Sequence, residues 1–241
     1  MHKSLLSASL IALALAAPIA NAHEAGDIIV RAGAITVKPK ANSSDVKVDS
    51  GPLAGANLGG KATMDSDTQL GLNFAYMLTN NIGIELLAAT PFEHDVKIRN
   101  TSLAPANGKL GTLKHLPPTL SVVYYPLDHK SVFQPYVGAG INYTWIYDEH
   151  VGSRAQSEGF DNFRAKNSWG LAWQIGADYM LTDNIMINAQ ARYIDIDTRA
   201  YVDNNALAAG TRAKVNVDVD PWVYICLLYT SPSPRDQRGS R

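Results

Sequence analysis

From Ile28 onward apolar side chains recur at every second residue rather than at the helical spacing of about 3.6, which commits the chain to strands with one apolar and one small or polar face. In Gln134–Trp145 the odd positions read Pro135, Val137, Ala139, Ile141, Tyr143 and Trp145, against Gln134, Tyr136, Gly138, Gly140, Asn142 and Thr144. Thr68–Met77 sets Leu70, Leu72, Phe74 and Tyr76 against Gln69, Gly71, Asn73 and Ala75, and Ser168–Tyr179 repeats the pattern with Trp169, Leu171, Trp173 and Ile175. Weaker alternation in Ile28–Val37, Ile82–Thr90, Leu116–Tyr125, Ile185–Tyr193 and Val215–Tyr224 brings the expected strands to eight.

The connections alternate in length. Thr79–Asn81, Pro126–Ser131 and Thr182–Asn184 are tight and built from turn-forming residues, whereas Lys38–Asp67, Phe92–His115, Tyr147–Asn167 and Thr198–Lys214 are long, polar and expected to be surface loops. Tyr76–Glu85 and Tyr179–Asn188 resemble each other, as repeated hairpins of one meander would. Together these features define an all-β fold: an eight-stranded antiparallel transmembrane β-barrel with short periplasmic turns and long extracellular loops. A soluble lipid-binding barrel would turn the bulky face inward and show water Gly71, Asn73, Gly138, Gly140, Gly170 and Ala172, with few Lys or Glu to keep it soluble. The membrane orientation places aliphatics in lipid and Tyr76, Tyr124, Tyr143, Trp145, Trp169 and Tyr179 at the two interfaces. Closure also pairs every backbone polar group without water.

The N-terminus agrees with export. Lys3, the apolar run Leu5–Ile19 and the small-residue site Ala20-Asn21-Ala22 form a signal peptide, residues 1–22, cleaved between Ala22 and His23. The destination is the outer membrane of a Gram-negative bacterium. Among the 241 residues, 21 Lys and Arg oppose 22 Asp and Glu, so no basic excess recruits nucleic acid. The single cysteine, Cys226, excludes an internal disulfide and a thiolate metal cluster. Without zinc-spaced histidines or a phosphate-cradling glycine loop, neither metal nor cofactor is expected.

Several longer words resemble the OmpW family: His23-Glu-Ala-Gly26, Asn81–Phe92 (NIGIELLAATPF), His115–Leu120 (HLPPTL), Pro135–Thr144 (PYVGAGINYT), Asp195–Thr198 and Asp220–Tyr224. The resemblance covers His23 to Tyr224. It implies an outer-membrane barrel with a narrow, largely apolar interior, related to alkane-uptake proteins. Its function would be passive uptake of small hydrophobic molecules, which enter from outside and leave sideways through the wall into the membrane. From Ile225 the chain departs from the family pattern, and Pro232 and Pro234 cannot join a ladder. Residues 225–241 are therefore read as a non-native tail that cuts the last strand short and leaves its closure against Ile28–Val37 open.

Parity directs Arg31, Glu85, Leu87, Gln174, Asp178, Arg192, Asp218 and Asp220 into the lumen. Arg31, Glu85 and Arg192 would form a salt-bridged plug in the periplasmic half. Leu87 lies where the resemblance implies an apolar gate, and Leu87 and Arg192 would bound the blind end of a hydrophobic pocket. Inward Gly71, Gly138, Gly140, Gly170 and Gly176 would leave room for a channel, whereas the charges favour a structural, adhesive or receptor barrel that conducts nothing. Leu53, Leu58, Leu103 and Leu110 could line an outer funnel, and the long loops are candidate receptors for phage or toxins. The acid pairs Asp195/Asp197 and Asp218/Asp220 could hold calcium, but pairing with Arg192, Arg199, Arg212 or Lys214 is the simpler expectation. His94, His115, His129 and His150 with Ser102, Ser121 and Ser153 show no nucleophile motif, so no enzyme is expected.

Overall fold

A computed structural model describes residues 23–40, 42–182, 184–206 and 208–230; the signal peptide with Ala22, and residues 231–241, lie outside the described residues. The first strands are β1 (Ile28–Lys38), β2 (Asn42–Ser43), β3 (Val46–Ser50), β4 (Asn57–Met64), β5 (Asp67–Met77), β6 (Ile82–Ala89), β7 (Phe92–Thr101) and β8 (Gly108–Leu116). They are followed by β9 (Thr119–Tyr124), β10 (Phe133–Val151), β11 (Phe160–Ala165), β12 (Ser168–Thr182), β13 (Ile185–Ile194), β14 (Asp197–Asn204), β15 (Arg212–Asp218) and β16 (Trp222–Thr230). No described helix is long and apolar enough to cross a membrane.

Eight strands close on themselves in the order β1-β5-β6-β9-β10-β12-β13-β16, every pair antiparallel. The outward faces carry Leu70, Leu72, Phe74, Val122, Val137, Ile141, Leu171 and Ile175, all exposed as a lipid-facing band requires. Tyr76, Tyr124 and Tyr179 ring the periplasmic end, and Trp145, Trp169 and Trp222 the outer end. Tyr143 is half-buried, with its ring 4.7 Å from that of Trp169.

Three expectations need correction. The four long polar connections are mostly strands: β2, β3, β4, β7, β8, the upper part of β10, β11, β14 and β15 pair into a second wall standing above the outer aromatic ring. Their Gly, Asn and Ser content suggests loops, but their inward positions hold Val46, Val48, Val96, Ile98, Leu113, Val202, Val215 and Val217. The expected strand Val215–Tyr224 is two strands, broken at Pro221 and at Asp220, whose φ is +35°. Asp218 accordingly belongs to the outer wall and is exposed rather than luminal, and Asp220 is half-exposed at the break.

The last strand is not cut short. β16 continues to Thr230, pairing with β1 from Arg31↔Tyr229 to Lys38↔Trp222 and with β13 from Ile185↔Thr230 to Tyr193↔Trp222, so the barrel closes. Ile225 and Leu227 point inward, while Cys226 and Leu228 point to lipid. Both faces are apolar there, so the alternation that marks a strand in sequence vanishes.

Candidate functional site

The lumen is built in three layers. At the periplasmic end Met77, Val123, Tyr125, Tyr136, Met180 and Met186 form a small apolar core. Above it lies a fully buried polar network centred on four charges. The Arg31 guanidinium donates to Asp178 Oδ2 at 2.7 Å and Asn73 Oδ1 at 3.0 Å, and its Nη1 lies 3.6 Å from Glu85 Oε2. Arg192 Nη2 donates to Glu85 Oε1 at 2.6 Å, and Gln174 Nε2 to the same oxygen at 3.1 Å. Asn188 Nδ2 donates to Asp178 Oδ1 at 2.7 Å and to the Tyr136 hydroxyl at 2.9 Å. His23, fully buried, sets Nε2 3.0 Å from Asp178 Oδ2 and its ring 4.5 Å from that of Tyr125.

Two guanidiniums thus face two carboxylates and the layer is neutral. Removing one partner would strand a buried charge, at a cost of about 3–5 kcal/mol. The glycine gaps do not relieve this crowding: a Cβ at Gly71 would lie 1.9 Å from Ile35 Cδ1, and one at Gly176 would lie 2.6 Å from the Tyr136 ring. Neighbouring side chains occupy the space the glycines provide.

Above the charges the lumen turns apolar. Leu87, one inward position above Glu85 on β6, belongs with Ile35, Ile194, Val223 and Ile225 to a continuous cluster that rises to Phe160 and Phe163 in the outer wall. At the top Leu53, Leu58, Leu103 and Leu110, scattered in sequence, all line one cavity of about 100 Å³ together with Ile98 and Phe163.

The wall lacks ladder rungs between the upper part of β10 and β11, and also at the joint above β6 and β9. Rungs join β6 to β9 as far as Leu87↔Thr119 and resume between β7 and β8 at Phe92↔His115. Between them Ala88, Ala89, Thr90 and Pro91 face Leu116, Pro117 and Pro118 with no ladder pairing, and the three prolines have no N–H to offer. Asn142 holds the lower margin by donating to the Pro117 and Pro118 carbonyls, both at 3.1 Å. Above it the β4–β5 turn braces β7: the Asp67 carboxylate accepts from the Glu93 N–H and the Asp65 carboxylate from the Asp95 N–H. Sequence reading noticed Pro117 and Pro118 only as part of a family word; prolines in both apposed strands are the signal that would have located the window.

At the upper lip two histidines meet. His94 Nε2 and His115 Nε2 are 2.9 Å apart with ring planes nearly parallel, and His94 Nδ1 lies 2.8 Å from the Asp65 carbonyl. Burial pushes His115 down to about 3 and lowers His94, so both rings are neutral at ordinary pH. The pair accounts for two of the four histidines named in the sequence, and His150 Nδ1 lies 3.0 Å from the Asp148 carbonyl. The acid pairs also differ from expectation: Arg192 binds Glu85, Arg212 binds Asp203 and Lys214 binds Asp49. Asp195, Asp197 and Asp220 instead cluster at the joint between the two walls, largely exposed.

Fold and site together define a bacterial outer-membrane β-barrel with an apolar upper interior above a floor of paired charges. The profile of the OmpW family matches residues 24–229, and the chain belongs to that family. It is 41% identical over 225 residues to Outer membrane protein W of Escherichia coli (strain K12), covering 92% of this chain and 96% of that one. The crystal structure of OprG from Pseudomonas aeruginosa superposes with a TM-score of 0.80 at 45% identity, covering 89% of this chain and all of that one. A more distant relative, Outer membrane protein AlkL of Ectopseudomonas oleovorans, is 25% identical over 179 residues, covering 74% of this chain and 70% of that one. Another, from Pseudomonas aeruginosa, is the Dibenzothiophene metabolism operon protein PahQ, 23% identical over 163 residues and covering 68% of this chain and 71% of that one.

Proposed function

We propose that this barrel takes small hydrophobic molecules from the cell exterior into its apolar upper chamber and releases them sideways through the β6–β9 window into the outer membrane. The observation that carries this reading is the pairing of a blind floor with an adjacent gap. The Arg31–Glu85–Arg192–Asp178 layer denies an apolar solute passage along the axis, because entering it would leave four charges without their partners. Directly above, at the level of the outer aromatic ring, no rungs join Ala88–Pro91 to Leu116–Pro118, so the wall there is held only from its two sides. Leu87 and Arg192 form the boundary between chamber and floor, and the leucines at the top form the outer gate. The membership of the relative PahQ in a dibenzothiophene metabolism operon agrees with an apolar cargo.

The test is uptake of n-dodecane by vesicles with a lipopolysaccharide outer leaflet carrying the full chain, compared with Ala89→Trp. Ala89 is half-buried at the window and packs on the apolar cluster, so a tryptophan there fills the gap. Uptake above protein-free vesicles, lost in Ala89→Trp with strand content intact by circular dichroism, supports lateral release. No uptake by the unaltered protein would install the plugged structural barrel in its place.

A further inference from the structure

The histidine pair at the upper lip of the window is not used by an uptake route for purely apolar cargo, yet it is costly to bury. His94 and His115 are only 1% and 6% exposed on the inward faces of β7 and β8, and His115 forms with Phe92 the first rung above the gap. Their hydrogen bonds fix the protons. A carbonyl only accepts, so the contact at the Asp65 oxygen requires the proton of His94 on Nδ1. The Nε2 of a neutral His94 is then an acceptor, and the 2.9 Å contact requires His115 to donate from its own Nε2. That leaves His115 Nδ1 as a bare lone pair, and this atom is buried with no hydrogen-bond partner. An unsatisfied acceptor in an apolar chamber is a standing cost that a matching donor relieves.

We infer that His115 Nδ1 is a recognition point for amphiphilic solutes carrying a hydroxyl-type donor on an apolar tail. The solute would donate its O–H to His115 while its tail lies across Phe92 toward the window. The buried ring of Phe92 stacks on His115 at 5.4 Å, so an apolar ring lies beside the buried lone pair. The Asp65 carbonyl fixes His94, and His94 in turn engages His115 through Nε2. This inference rests on lateral release through the same window and adds to it a class of cargo: long-chain alcohols ahead of alkanes of equal length.

The experiment compares radiolabelled 1-dodecanol with n-dodecane in the lipopolysaccharide-faced vesicles, using the full chain, His115→Phe and His115→Asn. Phenylalanine keeps an aromatic ring and removes both the Nδ1 acceptor and the Nε2–H donated to His94; asparagine restores an acceptor on the same γ-carbon. Expected is a fall of about fivefold in the alcohol rate for His115→Phe, the size of one neutral hydrogen bond, with the alkane rate unchanged and partial recovery in His115→Asn. Equal rates in all three proteins, or loss of both cargoes together in His115→Phe, would overturn the assignment. If the unaltered protein carries neither probe, lateral release fails on its own. The site is then decided by the ¹⁵N resonance of His115 Nδ1 in detergent: a shift on adding 1-dodecanol but not n-dodecane supports it, and no shift refutes it.

Discussion

The two halves of this barrel are built from the same alternating strands with opposite polarity. In the membrane half Leu72, Phe74, Ile141 and Ile175 face out while Arg31, Glu85, Asp178 and Arg192 face in. In the extracellular half Lys47, Glu93, Lys97 and Arg199 face out while Val46, Val96, Ile98, Phe163 and Val217 face in. The difference teaches that alternation specifies two faces, and that the surrounding solvent decides which one is the outside. The inversion falls at the joint where β6–β7, β8–β9, β13–β14 and β15–β16 all break. The window lies at that joint because a wall that changes polarity also changes course, and prolines there leave rungs unmade.

The largest effect that would break this comparison lies in the charged floor. Arg192→Met strands the buried Glu85 and is expected to destabilise the barrel by about 3–5 kcal/mol, whereas Arg192→Met with Glu85→Leu recovers most of the loss; urea unfolding midpoints in detergent decide it. Next in size, Leu72→Arg puts a charge in the lipid band and is expected to cost about 2–4 kcal/mol, while Thr112→Arg, on the water-facing side of β8, changes stability by less than about 0.5 kcal/mol. Equal costs at the two positions would show that both outer faces meet the same solvent.

A third prediction concerns acid. Folding holds His115 at about 3 against an ordinary value near 6.5, so the unfolded chain binds more protons between those pH values. The dyad's contribution is intact above the unfolded value and is lost as pH falls toward about 3, at up to about 1.4 kcal/mol per pH unit. His115→Phe should therefore flatten the pH dependence of stability over that window in the outer wall, as hydrogen exchange at β7 and β8 would register, and lower stability by a constant amount above pH 7, where the lost hydrogen bond to His94 no longer varies with pH. The smallest effect is at the rim: Lys109→Ala removes an exposed ion pair with Asp95 and should change stability by about 0–1 kcal/mol.

Much of the fold was legible because period two survives wherever one face meets lipid. Thr68–Met77, Gln134–Trp145 and Ser168–Tyr179 fall within β5, β10 and β12 for that reason. The extracellular strands look like loops in sequence because charged residues hold their outward positions and Gly, Asn and Ser their turns, and their inward apolar residues come in runs too short to stand out. β16 beyond Tyr224 was misjudged for the opposite cause, since Ile225, Leu227 and Leu228 are apolar on both faces. Of the site, Arg31, Glu85, Leu87 and Arg192 follow from parity alone. His94 and His115 do not: they are 21 residues apart and meet only because β7 and β8 pair.

An exported chain of eight membrane strands, its lipid face and the inward turn of Arg31, Glu85, Asp178 and Arg192 follow from the order of residues alone, because those are local consequences of side-chain alternation, whereas the placing of Asp218 does not. The tertiary structure alone decided that the charges cancel pairwise, that four distant leucines close one cavity, and where the wall lacks rungs. Such features depend on strand register, and register is fixed by how all the strands close around a common interior rather than by any one of them.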